Sequence, residues 1–156
     1  MRFEHLVQIN DAGNPLVPTM TRAELWRGLL ARAWTPERFP LGPDRCELRG
    51  GESVGLPLQR TVHFGGLALD DTVLAEPERS LRFEPAPRED MPKVVLTISI
   101  EEPAPGDLFL RFLYESPEVA ANKHELDLQG LRQQAWLAND LDMVRTLRQW
   151  LDEGLL

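Results

Sequence analysis

The sequence predicts an α+β domain in which an antiparallel sheet of about six or seven strands grips one long C-terminal helix across a single face. Two observations carry this. Between Arg45 and Glu115, apolar residues recur with period two in short segments parted by glycine and proline. From Ser116 to Gly154 the pattern turns helical, and no proline interrupts it after Pro117. Strands first and an amphipathic helix last leave space between the two layers for a small apolar molecule. The pattern specifies an architecture and not a reaction.

The first element is a strand, with Phe3, His5, Val7 and Ile9 on one face and Glu4, Leu6 and Gln8 on the other. A loop follows at Asn10-Asp-Ala-Gly-Asn-Pro15. Thr21 stands three residues before Glu24, the spacing at which a hydroxyl and a returning carboxylate cap a helix start. That helix runs to about Ala33, because Leu25, Trp26, Leu29, Leu30 and Ala33 recur at intervals of three and four. Thr35-Pro36-Glu37 opens a second, short helix with proline at its first position. Gly50-Gly51 suggests a turn. Leu58 to Phe64 alternates cleanly before Gly65-Gly66, a two-residue hairpin turn. The return strand covers about Leu67 to Ala75, and Glu76-Pro-Glu-Arg79 turns it into a strand around Leu81 to Phe83. Pro85, Pro87 and Pro92 mark an exposed connection. Val94 to Glu101 and Leu108 to Glu115 are the strongest strands, joined by a loop over 102–107.

The C-terminal helix has a start signal at Ser116-Pro117-Glu118, but Ala120 to Lys123 shows no apolar face and moves the regular helix to about Glu125. Its apolar stripe reads Leu137, Leu141, Val144, Leu147 and Leu151, flanked by Trp136, Met143 and Trp150, with Asp140, Arg145, Gln149 and Asp152 on the remainder. Glycine costs about 1 kcal/mol relative to alanine in a helix interior. Gly130 is therefore expected at a bend or at a close approach to the sheet.

With 156 residues, 42% of them hydrophobic, the chain fits one domain over 1–156 with a sizeable core. A net charge of -8, with acids and bases interspersed, argues against nucleic acid as a partner. The single cysteine, Cys46, excludes an internal disulfide and reads as a small buried hydrophobe. Polar groups break the N-terminal apolar run, so neither a signal peptide nor a membrane span is expected, and a cytoplasmic location follows. His5, His63 and His124 lack the carboxylate or thiol spacing of a metal site, so no metal is expected and solvated or packing roles suit them. No nucleophile elbow, phosphate loop or dinucleotide fingerprint is present, and no cofactor is expected.

Four segments carry a family resemblance: His5-Leu-Val-Gln-Ile-Asn10, Thr21-Arg-Ala-Glu-Leu-Trp-Arg-Gly28, Phe64-Gly65, and the run from Leu96 to Glu115. Together they resemble the AtaL-like family of the START-like (SRPBCC) superfamily, which also holds polyketide cyclases and aromatases, pollen allergens and lipid carriers. The resemblance implies a helix-grip fold, with a strongly curved sheet around the C-terminal helix. It implies no reaction, because binding and catalysis share this scaffold.

Hairpin register supplies the candidate site. A two-residue turn at Gly65-Gly66 sets Arg60 opposite Asp71, on a face shared with apolar residues. Such a pair is either an internal strut that fixes register or a guanidinium presented to an anionic or carbonyl ligand, with Asp71 orienting it. In the last hairpin, a loop over 102–107 sets Ile98 opposite Arg111 and Leu96 opposite Leu113, which places Arg111 and Glu115 as polar groups on an apolar wall. The other face, Leu108, Leu110, Phe112 and Tyr114, is also apolar, so one face lines the cavity and the other needs cover, for which a homodimer is one solution. Tyr114 reads as a rim residue and Trp136 as a cavity or core residue. The candidate ligand-binding set is therefore Arg60, Asp71, Arg111, Glu115, Tyr114 and Trp136, with no residue assigned to catalysis. The leading expectation is a binding protein for a small apolar or aromatic metabolite. A cyclase or aromatase using Arg60, Asp71 or Tyr114 is the alternative, and a dimeric interaction module with a filled core is a third.

Overall fold

A computed structural model of the chain describes residues 1–51 and 57–156. In chain order the elements are β1 (Arg2–Gln8), α1 (Arg22–Trp34), a 3-10 turn (Pro36–Arg38), β2 (Arg45–Gly50), β3 (Leu58–Phe64), β4 (Leu67–Glu76), β5 (Ser80–Pro85), β6 (Val95–Glu101), β7 (Phe109–Glu115) and α2 (Lys123–Asp152). The seven strands form one antiparallel sheet in the order β1-β7-β6-β5-β4-β3-β2. Each strand from β2 to β6 pairs with its successor, and β1 closes the far edge by pairing with β7. This is the curved helix-grip sheet with α2 along its concave face. The part of the two-residue periodicity that falls on 52–56 lies outside the described residues.

Local chemistry explains the boundaries. Thr21 and Glu24 form the reciprocal capping box, with Glu24 N–H donating to Thr21 Oγ1 at 3.1 Å and Thr21 N–H to Glu24 Oε1 at 2.8 Å. At the β3–β4 turn Gly65 adopts φ +57°, where a side chain is unfavourable. Asp44 accepts from the Gly65 N–H at 2.6 Å and holds the turn against the start of β2. Asn10 does similar work at the end of β1. Its side chain donates to Met20 O and Gly106 O and accepts from Met20 N–H, each at 2.8 Å, which ties three loops together in a buried position.

The core lies between the concave face, α1 and the C-terminal half of α2. Leu25, Leu29 and Ala33 of α1 meet Met143, Val144, Leu147 and Trp150 of α2 over Leu81, Ile98, Ile100, Leu110 and Phe112 of the sheet. The helices cross at Gly28, where a β-carbon would fall 2.7 Å from Leu147 Cδ2, so any larger residue there displaces a fully buried side chain.

Four expectations are corrected. The β6–β7 register is offset by one: Ile98 pairs with Phe112 and Leu96 with Tyr114, because Glu101 pairs with Phe109 and the loop spans 102–108. The buried seam of α2 keeps Val144 and Leu147 of the expected stripe but is offset toward Asp140, Met143 and Trp150, with Trp136 partly buried, and leaves Leu137 and Leu141 exposed. The offset follows from burying Asp140, which a hydrophobicity pattern assigns to the outside. The helix begins at Lys123, with Asn122 accepting from Glu125 N–H at 2.9 Å, and continues through Gly130, whose added β-carbon would meet nothing within 4 Å. Cys46 is half-buried instead of buried, and desolvation pushes its thiol above the ordinary range. Among the described residues no helix is long and apolar enough to cross a membrane, and no three groups of metal-ligating type converge.

Candidate functional site

Beyond the core, α2 and the β2–β4 end of the sheet separate to form a partly open cleft of two adjoining recesses. The outer recess, about 530 Å³, lies between Val62 and Leu69 of the β3–β4 hairpin, the connection Pro85 to Val94, and Arg132 and Trp136 of α2. The inner recess, about 460 Å³, runs from Phe83 and Leu96 of the sheet to Arg32, Phe39 and Asn139, and reaches Arg60, Tyr114 and Trp136. Val62, Leu69, Asp71 and Trp136 border both.

The hairpin register places Arg60 opposite Asp71 as expected. Arg60 Nε and Nη2 donate to the two Asp71 carboxylate oxygens at 2.8 and 2.6 Å, a bidentate pair. Nη1 donates to the carbonyls of Arg32 and Ala33 at 3.2 and 2.9 Å, so the guanidinium also caps the C-terminus of α1, where a cation is favoured. With its side chain only 6% exposed and its donors mostly engaged, Arg60 has the geometry of a strut joining β3, β4 and α1.

Tyr114 and Trp136 line the inner recess and stack on one another, with ring centroids 4.4 Å apart and planes 4° from parallel. Behind them lies a polar cluster that sequence reading did not assemble. Asp140 is fully buried, and its Oδ2 accepts from Tyr114 OH at 2.7 Å and lies 2.9 Å from His5 Nε2. His5 in turn stacks on Phe112 at 5.0 Å. Burial, reinforced by the Asp140 carboxylate, pushes the Tyr114 phenol far above its ordinary pKa, so its proton stays in the bond to Asp140. Among the described residues Asp140 Oδ1 has no hydrogen-bond partner, and it faces Arg32 Nη2 at 4.0 Å. Asn139, in the amide orientation that turns its oxygen toward Arg32, accepts from both terminal nitrogens at 3.2 and 3.1 Å. The sequence places His5 on one face of β1 with Phe3, Val7 and Ile9. Nothing in the sequence brought it to Asp140, 135 residues away.

Arg111 and Glu115 do not join this site. The corrected register turns Leu110, Phe112 and Tyr114 inward, and Arg111 projects from the convex face. There it pairs with Glu101 at 2.5 Å and Glu4 at 3.2 Å. Glu115 is exposed and borders an outer groove with Met1 and Ser116. The ion pairs interrupt the apolar run on that face with charge.

The family described as AtaL, acetylaranotin biosynthesis cluster protein L, matches residues 7–154. Among curated proteins no match is found. Solved structures share the fold at low identity. The di-domain ARO/CYC StfQ from the steffimycin biosynthetic pathway superposes with TM-score 0.70 at 11% identity, over 98% of this chain and 51% of that one. This chain thus spans about half the length of StfQ. The Zhui aromatase/cyclase from Streptomyces sp. R1128 gives 0.62 at 12% identity, over 96% and 94% of the two chains. The Aha1 dimer from Colwellia psychrerythraea gives 0.59 at 15% identity, over 95% and 96%. With the family match running from the end of β1 through the end of α2, the chain is a member of the AtaL family.

Proposed function

We propose that the protein binds a small, flat, mostly apolar metabolite in the cleft between the sheet and α2. The observation that carries this reading is the stacked Tyr114–Trp136 pair, of which Trp136 borders both recesses of about 530 and 460 Å³ and Tyr114 the inner one, in the size range of small-molecule sites. Val62, Leu69 and Leu96 supply apolar walls, and the Arg60–Asp71 pair stiffens the side on which the ligand rests. A filled interaction module fits less well, because its interior would have collapsed onto these side chains. The likeness to aromatase/cyclases keeps a catalytic use of the cleft in view. Tyr114 is a poor acid for it, since its proton is held by Asp140.

A thermal-shift screen of aromatic and conjugated compounds tests the proposal. A ligand at a hundred times its Kd stabilises the fold by about 2.7 kcal/mol, a readily measured rise in Tm. Trp136→Ala is expected to lower the affinity of the hits about tenfold while costing about 1 kcal/mol of stability. A screen without hits, or hits indifferent to Trp136→Ala, would sink the reading.

A further inference from the structure

We infer that Arg32 is the anion-binding group of the cleft, and that the ligand is an aromatic or conjugated acid whose ring stacks at Trp136 while its carboxylate or enolate meets the Arg32 guanidinium. This rests on reading the cleft as a ligand site and adds the chemistry of the ligand. The two arginines of the inner recess differ in what they have left to give. Arg60 spends its donors on Asp71 and two backbone carbonyls. Arg32 has a side chain only 18% exposed, yet among the described residues its sole hydrogen-bonding neighbour is the Asn139 amide oxygen. A guanidinium carries five N–H donors. That contact leaves Nε–H and one N–H on each terminal nitrogen without an acceptor among the described residues.

The second observation is the orphaned Asp140 Oδ1. It is buried, lacks a donor, and stands 4.0 Å from Arg32 Nη2, beyond hydrogen-bond distance but close enough to hold the cation electrostatically. Asp140 and Asn139 sit on adjacent positions of α2 and fix the guanidinium from the helix side. Arg32 comes from the last turn of α1, on the rigid end that Arg60 caps. A desolvated cation with unspent planar donors, fixed by two side chains and bordering an aromatic stack, matches a planar anion on a conjugated ring. The whole chain carries a net charge of -8, so its long-range field repels anions, and any preference for an acid must arise locally.

The test is a matched set of probes, naphthoate, naphthalenemethanol and naphthylmethylamine, titrated calorimetrically into the full chain at neutral pH. Naphthoate is expected to bind about tenfold tighter than naphthalenemethanol, the size of one charge-assisted contact. In Arg32→Gln that ratio is expected to fall to about one. The ratio is the readout, so a general weakening of both probes cancels. If Arg32→Gln does not fold, Arg32→Lys serves, and its ratio is expected to drop because an ammonium lacks the planar fork. A ratio near or below one in the unmodified protein overturns the assignment and leaves the cleft as a neutral-ligand site. A ratio that survives unreduced in the Arg32 variant also overturns it and points to another cation, with Arg132 next to be examined. If no probe binds at all, the reading of the cleft as a ligand site fails.

Discussion

The two halves of α2 face the same sheet and do opposite things. From Asp140 to Trp150 the helix buries Met143, Val144, Leu147 and Trp150 against α1 and the centre of the sheet. From Lys123 to Ala135 it exposes Leu126, Leu128 and Leu131 and adds no residue to the buried core, while Arg132 borders the cleft. One continuous helix thus holds the fold together at one end and borders an opening at the other. Stability concentrated in one half frees the other half to leave space unfilled, which a binding site requires and a core does not tolerate.

The sharpest way to test that division is to cut into the closed half. Phe112→Ala removes a fully buried ring beneath His5 and is expected to cost about 3–5 kcal/mol in denaturant unfolding. A loss under about 1 kcal/mol would break the comparison. Asp71→Ala lies where the halves meet and leaves Arg60 buried without its carboxylate. About 3 kcal/mol is expected, the low end for a broken buried pair, because the Asp71 side chain keeps 14% of its exposure.

Tyr114 gives a smaller effect that pH controls. Its folded pKa is raised, so its contribution to stability is complete below the unfolded value of about 10 and declines above it, by up to about 1.4 kcal/mol per pH unit. Tyr114 is the only tyrosine in the chain, so tyrosinate absorbance reports it alone. The folded protein is expected to show no tyrosinate at about pH 11, and Tyr114→Phe is expected to flatten the alkaline decline in stability. Early ionisation of the folded state would mean that the Asp140 bond does not hold the proton. The smallest effect belongs to the open half: Leu131→Gln should change stability by no more than about 0.5 kcal/mol, because its side chain has no core to leave. A markedly larger loss would show that something covers this face.

Legibility in the sequence followed how locally each feature is determined. The Arg60–Asp71 pairing could be read because a two-residue turn at Gly65-Gly66 fixes every pair in the hairpin. The β6–β7 pairing could not, since a longer loop rich in proline and glycine leaves the count uncertain by one, and one residue moves Arg111 from the wall to the convex face. The α2 seam failed for a different reason. Asp140 is buried because Tyr114 and His5 satisfy it, and both partners come from strands distant in sequence. Arg32 escaped notice for the same reason, since its surroundings are set by where α2 lands. The capping box at Thr21 and Glu24 needed no tertiary information and matched.

The close crossing at Gly28 and Leu147 has a mechanical consequence for the opening far from it. Trp136 lies eleven residues up the helix from Leu147, about 16 Å along the axis, so a one-degree tilt of α2 about that crossing shifts the edge of the cleft by about 0.3 Å. A residue with no side chain, buried at the opposite end, acts as the gauge that sets how wide the mouth of the molecule stands.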